Sequence, residues 1–123
     1  MKSPHTGIKR ILKAFVYSYD GFKAVFKSEA AFRQDLTVFI IGTLAALFLP
    51  VGILEKVLLI SSLIFILLME LINTAIETLA DRISDEYHDL SKKAKDIGSL
   101  LVLISFINAG IIWFAVIIRH TLT

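Results

Sequence analysis

The chain has 123 residues, enough for one domain, with 56% apolar residues, 20% charged residues and no cysteine. Its mean hydropathy of +0.76 is far above that of an ordinary soluble chain. These figures exclude a disordered chain, a coiled coil and a disulfide-stapled secreted domain, and a formal net charge of +2 is too small to point to nucleic acid.

The charges are segregated along the chain. In the N-terminal segment Ile8, Leu12, Phe15, Tyr19, Phe22 and Phe26 recur at alternating spacings of four and three. That spacing predicts an amphipathic helix over about residues 6–34. Lys9, Lys13, Asp20 and Lys27 fall elsewhere around it, so the helix suits the inner membrane surface, lysines toward anionic head groups. The same stripe also suits packing against neighbouring helices, and both can hold.

Residues 36–54, LTVFIIGTLAALFLPVGIL, carry no charge over 19 positions. Residues 57–69, VLLISSLIFILLM, carry none over 13, and the run continues past Glu70 through LINTAI to Glu77. Residues 97–118, IGSLLVLISFINAGIIWFAVII, carry none over 22. A bilayer core about 30 Å thick needs roughly 20 helical residues. The first and third runs qualify outright, and the second qualifies if Glu70 is tolerated inside it. A soluble bundle would need polar stripes at a helical period, which the first and third runs lack. The first run begins too late for a signal peptide, so all three are expected in the mature chain. The expected fold is an all-α membrane protein, a single domain over 1–123. Its surface helix precedes transmembrane helices at about 36–54, 57–77 and 97–118, with a charged cytoplasmic loop at about 78–96. Gly42 with Ala46, and Ser105 with Ala109, offer small-residue contacts between helices.

Basic residues set the orientation. Seven lie in residues 1–35 and four in 78–96, against Lys56 in the first turn and Arg119 in the tail. A cytoplasmic N-terminus places eleven inside and two outside.

Glu70, Asn73, Glu77 and Asp81 share one helical face. A carboxylate inside an apolar span costs at least about 2.5–3.5 kcal/mol. Glu70 is either a structural acid paired across an oligomer or the first of a graded row that meets a hydrophilic reagent at the membrane. The row is better served by the second reading. The loop SDEYHDLSKKAKD is either a solvated connector or a grip for a polyphosphate and its Mg²⁺, with Lys92, Lys93 and Lys95 beside Glu86, His88, Asp89 and Asp96. His88 is expected to be a hydrogen-bond donor or merely exposed. Glu77 is too far along the helix to share an ion with Glu70, and Glu29 is the available partner. Phosphate-binding glycine loops, protein-kinase motifs and zinc-ligand spacings are all absent from the sequence.

Residues 29–35, EAAFRQD, residues 70–77, ELINTAIE, and residues 86–99, EYHDLSKKAKDIGS, resemble the prokaryotic diacylglycerol kinase family. The likeness runs from Thr6-Gly7 to about Trp113, although the apolar spans match only in character. It implies a homotrimeric lipid kinase of the bacterial inner membrane, with active sites shared between neighbouring chains. ATP and Mg²⁺ would be used to turn diacylglycerol into phosphatidic acid. At matching positions the resemblance implies Glu70 as general base with Asn73 in support, and Glu29 and Glu77 as metal ligands. Arg10, Tyr17, Glu29, Glu77, Glu86, Tyr87, His88, Lys95 and Asp96 would contact the nucleotide. Arg10, Ala14, Ser18, Tyr19, Lys23, Phe26, Ala31, Gln34, Asp35, Glu70, Ser99 and Trp113 would face the lipid. Tyr19-Asp20 departs from the family, in which an aromatic residue is followed by a base.

The expected geometry suits such a reaction. Diacylglycerol keeps its hydroxyl near the interface and ATP stays in the cytoplasm, so a base just below the surface and a phosphate grip just above it are needed. One chain's spans could hardly enclose such a polar face, so an oligomer is expected. Two alternatives stand beside this reading: an undecaprenol kinase with the same motifs, and a small proton-coupled transporter using Glu70 as its proton site.

Overall fold

The computed structural model describes residues 6–83 and 87–122, all but a few of them helical. Four helices follow in order: α1 over Gly7–Ser28, α2 over Ala30–Phe48, α3 over Ile53–Ile83 and α4 over Asp89–Leu122. Helices α2, α3 and α4 are each long and apolar enough to cross a membrane.

The breaks have local causes. Glu29 adopts extended backbone (φ −116°, ψ 106°) and separates α1 from α2. The Arg33 guanidinium reaches back and donates to the carbonyls of Phe26 (2.6 Å) and Lys27 (3.2 Å), groups the end of α1 leaves without intrahelical donors. Pro50 ends α2 by forcing its predecessor, Leu49, into extended backbone (φ −68°, ψ 141°). Lys56 Nζ then donates to the Leu47 carbonyl at 2.7 Å and closes the turn. At the start of α4, His88 Nδ1 accepts from the Leu90 N–H at 3.1 Å, acting as an N-cap.

Helix boundaries depart from the expected ones. The first break falls at Glu29, so residues 30–35 open α2 instead of closing the surface helix. Residues 53–56 already belong to α3. The expected loop at 78–96 is helical over 78–83 and 89–96. Charge ended the hydropathy pattern there without ending the helix.

Helix α3 lies between α2 and α4 and packs most extensively against α4; the principal contact of α1 is with α2. Phe22 of α1 meets Phe32 of α2 edge-on, ring centroids 5.9 Å apart. Two apolar clusters fill the three-helix junction. Ala46, Leu59 and Val116 form one; Leu63, Ile66 and Ala109 form the other, with Trp113 packed against both. Small residues let the backbones approach: a Cβ on Gly42 would press against Leu63 of α3. Trp113 Nε1 donates to Ser62 Oγ at 3.1 Å, and Ser62 donates to the Leu59 carbonyl at 2.6 Å. At one end Arg119 of α4 pairs with Glu55 of α3 at 3.5 Å. Most remaining apolar side chains face outward, as an apolar medium permits.

Candidate functional site

The polar residues gather at the opposite end, where α2 begins, α3 ends and α4 begins. Glu70 is the one charged side chain among the described residues that is buried, at 9% exposure. It sits on the face of α3 turned to the helix junction. Asp35, on the second turn of α2, lies against it within side-chain hydrogen-bonding reach, and Glu77 and Glu29 lie within its electrostatic field. Asp35 Oδ2 is buried without a hydrogen-bond partner. Asn73, one turn beyond Glu70, packs its Oδ1 against Gly98 of α4, also buried and without a partner. Four acids from α2, α3 and the α1–α2 break are thus close enough for the other three to act electrostatically on Glu70. Such a set favours a cation near it.

Outside this core the surface carries charge of both signs. Lys95 of α4 pairs with Asp81 of α3 at 2.6 Å, and Lys92 pairs with Asp96 one turn along α4 at 2.6 Å. An open groove of about 400 Å³ is lined by Tyr87, Asp89, Lys92, Lys93, Asp96, Ile97 and Leu100. Ammonium groups, an exposed aromatic ring and a helix start make this a surface able to receive phosphates and a flat base. Glu70 does not line it.

The structure brings Glu29, Asp35 and Glu77 near Glu70, with Asn73 one turn along α3, and ties Lys95 to Asp81 across α3 and α4, while Asp96 is exposed on α4 and pairs with Lys92 of its own helix. Glu86 lies outside the described residues. Tyr87 is exposed and lines the groove, and His88 is exposed at the start of α4, one of the two expectations for it, with its Nδ1 accepting from the Leu90 N–H. Arg10, Ala14, Tyr17, Ser18, Tyr19, Lys23 and Phe26 lie along α1, which buries none of its residues in this chain. Lys23 Nζ stands 5.2 Å over the Tyr19 ring, and Ser18 donates to the Ala14 carbonyl at 2.8 Å. Arg10 and Tyr17 make no hydrogen bond or ion pair among the described residues. Ala31 and Gln34 are exposed on the first turns of α2, and Ser99 is exposed on α4. Trp113 lies roughly 20 Å along α4 from Ser99, at 1.5 Å per residue, and is engaged with Ser62.

Gly98 was given no role in the sequence reading, although it falls within the motif at 86–99, because only the opposing Asn73 shows what its missing side chain does. The contact of Asp35 with Glu70 escaped it too. Its only sequence signal is that Asp35 is the last charge before an uncharged run.

Among the described residues no three His, Cys, Asp or Glu side chains converge as a metal cage. Two carboxylates without a cage still suit Mg²⁺, which keeps several waters and takes substrate phosphates as further ligands.

The prokaryotic diacylglycerol kinase family matches residues 16–117. A diacylglycerol kinase of Escherichia coli K12 is 43% identical over 120 residues, 98% of each chain. One from Pseudomonas aeruginosa is 41% identical over 113 residues, 92% of each chain. One from Haemophilus influenzae is 40% identical over 108 residues, 88% of this chain and 92% of its own. With the family spanning its three long apolar helices and its buried acid alike, this chain belongs to the prokaryotic diacylglycerol kinases.

Proposed function

We propose that the chain phosphorylates diacylglycerol to phosphatidic acid at the cytoplasmic face of the bacterial inner membrane, with ATP as phosphoryl donor. The observation that carries this reading is the buried carboxyl of Glu70, set among apolar helices with Asp35 beside it, at the end of the molecule where the charged residues of α3 and α4 gather. A lipid hydroxyl reaches such a carboxyl from the bilayer, and a nucleotide reaches the groove from water.

In the reaction the lipid's primary hydroxyl oxygen bonds to the γ-phosphorus. The bond from that phosphorus to the bridging oxygen breaks, and ADP leaves with the electron pair. The hydroxyl proton passes to a carboxylate oxygen of Glu70, with Asn73 in support. The transition state is loose, so positioning and charge neutralisation carry most of the catalysis. Glu29 and Glu77 would hold Mg²⁺, which offsets phosphate charge when bound. Lys95, held at the α3–α4 mouth by Asp81, adds an ammonium there. Tyr87, His88 and Asp96 would contact the nucleotide from the first turns of α4 and the residues before it, and Glu86 is assigned the same role from the family resemblance alone.

Arg10 and Tyr17 lie on a helix none of whose residues is fully buried in its own chain. We assign them to a neighbouring chain's nucleotide, in a homotrimer with shared sites. The apolar stripe of α1 then rests on the inner membrane surface, where Ala14, Ser18, Tyr19, Lys23 and Phe26 face the lipid.

The test is ATP consumption by the purified protein in mixed micelles, with diacylglycerol or undecaprenol as acceptor. Mg²⁺-dependent formation of phosphatidic acid is expected. Preferential phosphorylation of undecaprenol would overturn the substrate. Proton flux without ATP consumption would overturn the kinase reading itself.

A further inference from the structure

We propose that Gly98 is a positioning residue for phosphoryl transfer: its missing side chain is the notch in α4 that fixes the Asn73 amide beside Glu70. The inference rests on the reading of Asn73 as part of the transfer site.

Gly98 is buried in the interior of α4. A Cβ built there would overlap Asn73 Oδ1 and come within 3.3 Å of Asn73 Cγ, yet only 3.6 Å from its Cα. The conflict is therefore with the end of the side chain and not with the backbone of α3. Helix spacing would survive a methyl group at this position; the amide orientation would not. Gly21 and Gly110 differ, since a Cβ at either meets nothing within 4 Å.

Asn73 Oδ1 is buried without a hydrogen-bond partner. No donor holds that end of the amide, so the shape of α4 does. Oδ1 and the Nδ2 hydrogens diverge from Cγ. With the oxygen against Gly98, both N–H donors turn away from α4. Asn73 follows Glu70 by one helical turn on the same face, so a rotated amide changes the polar surroundings of the base. The Asp81–Lys95 pair joins the same two helices separately from this contact, one turn away along α4 and two along α3.

The experiment compares Gly98→Ala, Asn73→Ala and the double variant as purified full-length protein, with kcat, both KM values and thermal midpoint measured in mixed micelles. Gly98→Ala should lower kcat by about ten- to a hundredfold, the scale of a misplaced group near the chemistry, with both KM values unchanged. Asn73→Ala should lower kcat as well. The double variant should be no slower than Asn73→Ala alone, because truncating Asn73 vacates the space the new methyl needs. The side-chain amide resonances of Asn73 should shift in Gly98→Ala. A Gly98→Ala enzyme with wild-type kcat overturns the inference and leaves the site reading intact. So does a Gly98→Ala loss that recurs in full on top of Asn73→Ala. A fully active Asn73→Ala enzyme instead removes Asn73 from the site and the inference with it. Should Gly98→Ala fail to fold, a folded double variant supports the steric conflict, and an unfolded one overturns it.

Discussion

Glu70 and Asp35 place two carboxyl groups together at a helix junction that offers no basic partner to either among the described ion pairs. Such an arrangement costs folding energy, and two roles could justify it. A structural acid would hold helices together through its hydrogen bonds. A base would tolerate the cost for the sake of the proton it takes. Glu70→Gln separates them, since it keeps volume and hydrogen-bonding capacity but cannot accept a proton. In the proposed reaction the variant assembles and binds ATP normally, and kcat falls by about 10²–10⁴ with little change in either KM. A folded variant with more than about a tenth of wild-type kcat, against that hundredfold floor, removes Glu70 from the role of base. Glu70 stood out in the sequence because an acid inside a 20-residue apolar stretch is costly and needs a reason. Gly98 did not, because a glycine's value lies in what it lets through, and only the opposing Asn73 reveals that.

At the scale of helices, the apolar runs were legible and their ends were not. An uncharged stretch marks what lies in the bilayer. Residues 30–35 and 78–83 are charged yet helical, because the backbone continues through them into water. The break at Glu29 depends on a side chain, Arg33, folding back on the last carbonyls of α1, an arrangement no composition reports. The pairing of α3 with α4 likewise rests on particulars. Trp113 donates to Ser62 across the junction, at a level where both neighbouring clusters are apolar. Trp113→Phe and Ser62→Ala should each lower stability, and the double variant should cost less than the sum by about 0.6 kcal/mol, the usual coupling of a hydrogen bond between membrane helices. Reversible unfolding in mixed micelles would give the cycle. Strict additivity would mean that the indole matters only as volume between the two clusters.

The whole molecule is polarised from end to end. The starts of α2 and α4 and the end of α3 share one end, with Glu29, Glu77, Asp81 and Lys95; the α2–α3 turn and the end of α4 share the other. That second end holds only two of the basic residues, and the fold engages both. Lys56 closes the turn on Leu47, and Arg119 pairs with Glu55. Little positive charge is therefore left there to retain that end in the cytoplasm, while eleven basic residues lie in the segments leading to the opposite end. The N-terminus is accordingly expected inside and the C-terminus outside. This orientation also meets the chemistry, since ATP is cytoplasmic and Glu29, Glu77 and Lys95, proposed to bind it with its Mg²⁺, lie at the end of the molecule where α2 and α4 begin and α3 ends. The chain has no cysteine, so single replacements at Ser3 and Thr121 report without background. In intact cells a membrane-impermeant maleimide should label the variant at 121 and leave the variant at 3 untouched until the membrane is opened. Labelling at 3 in intact cells, with 121 protected, would invert the molecule and place its acidic cluster on the side without ATP.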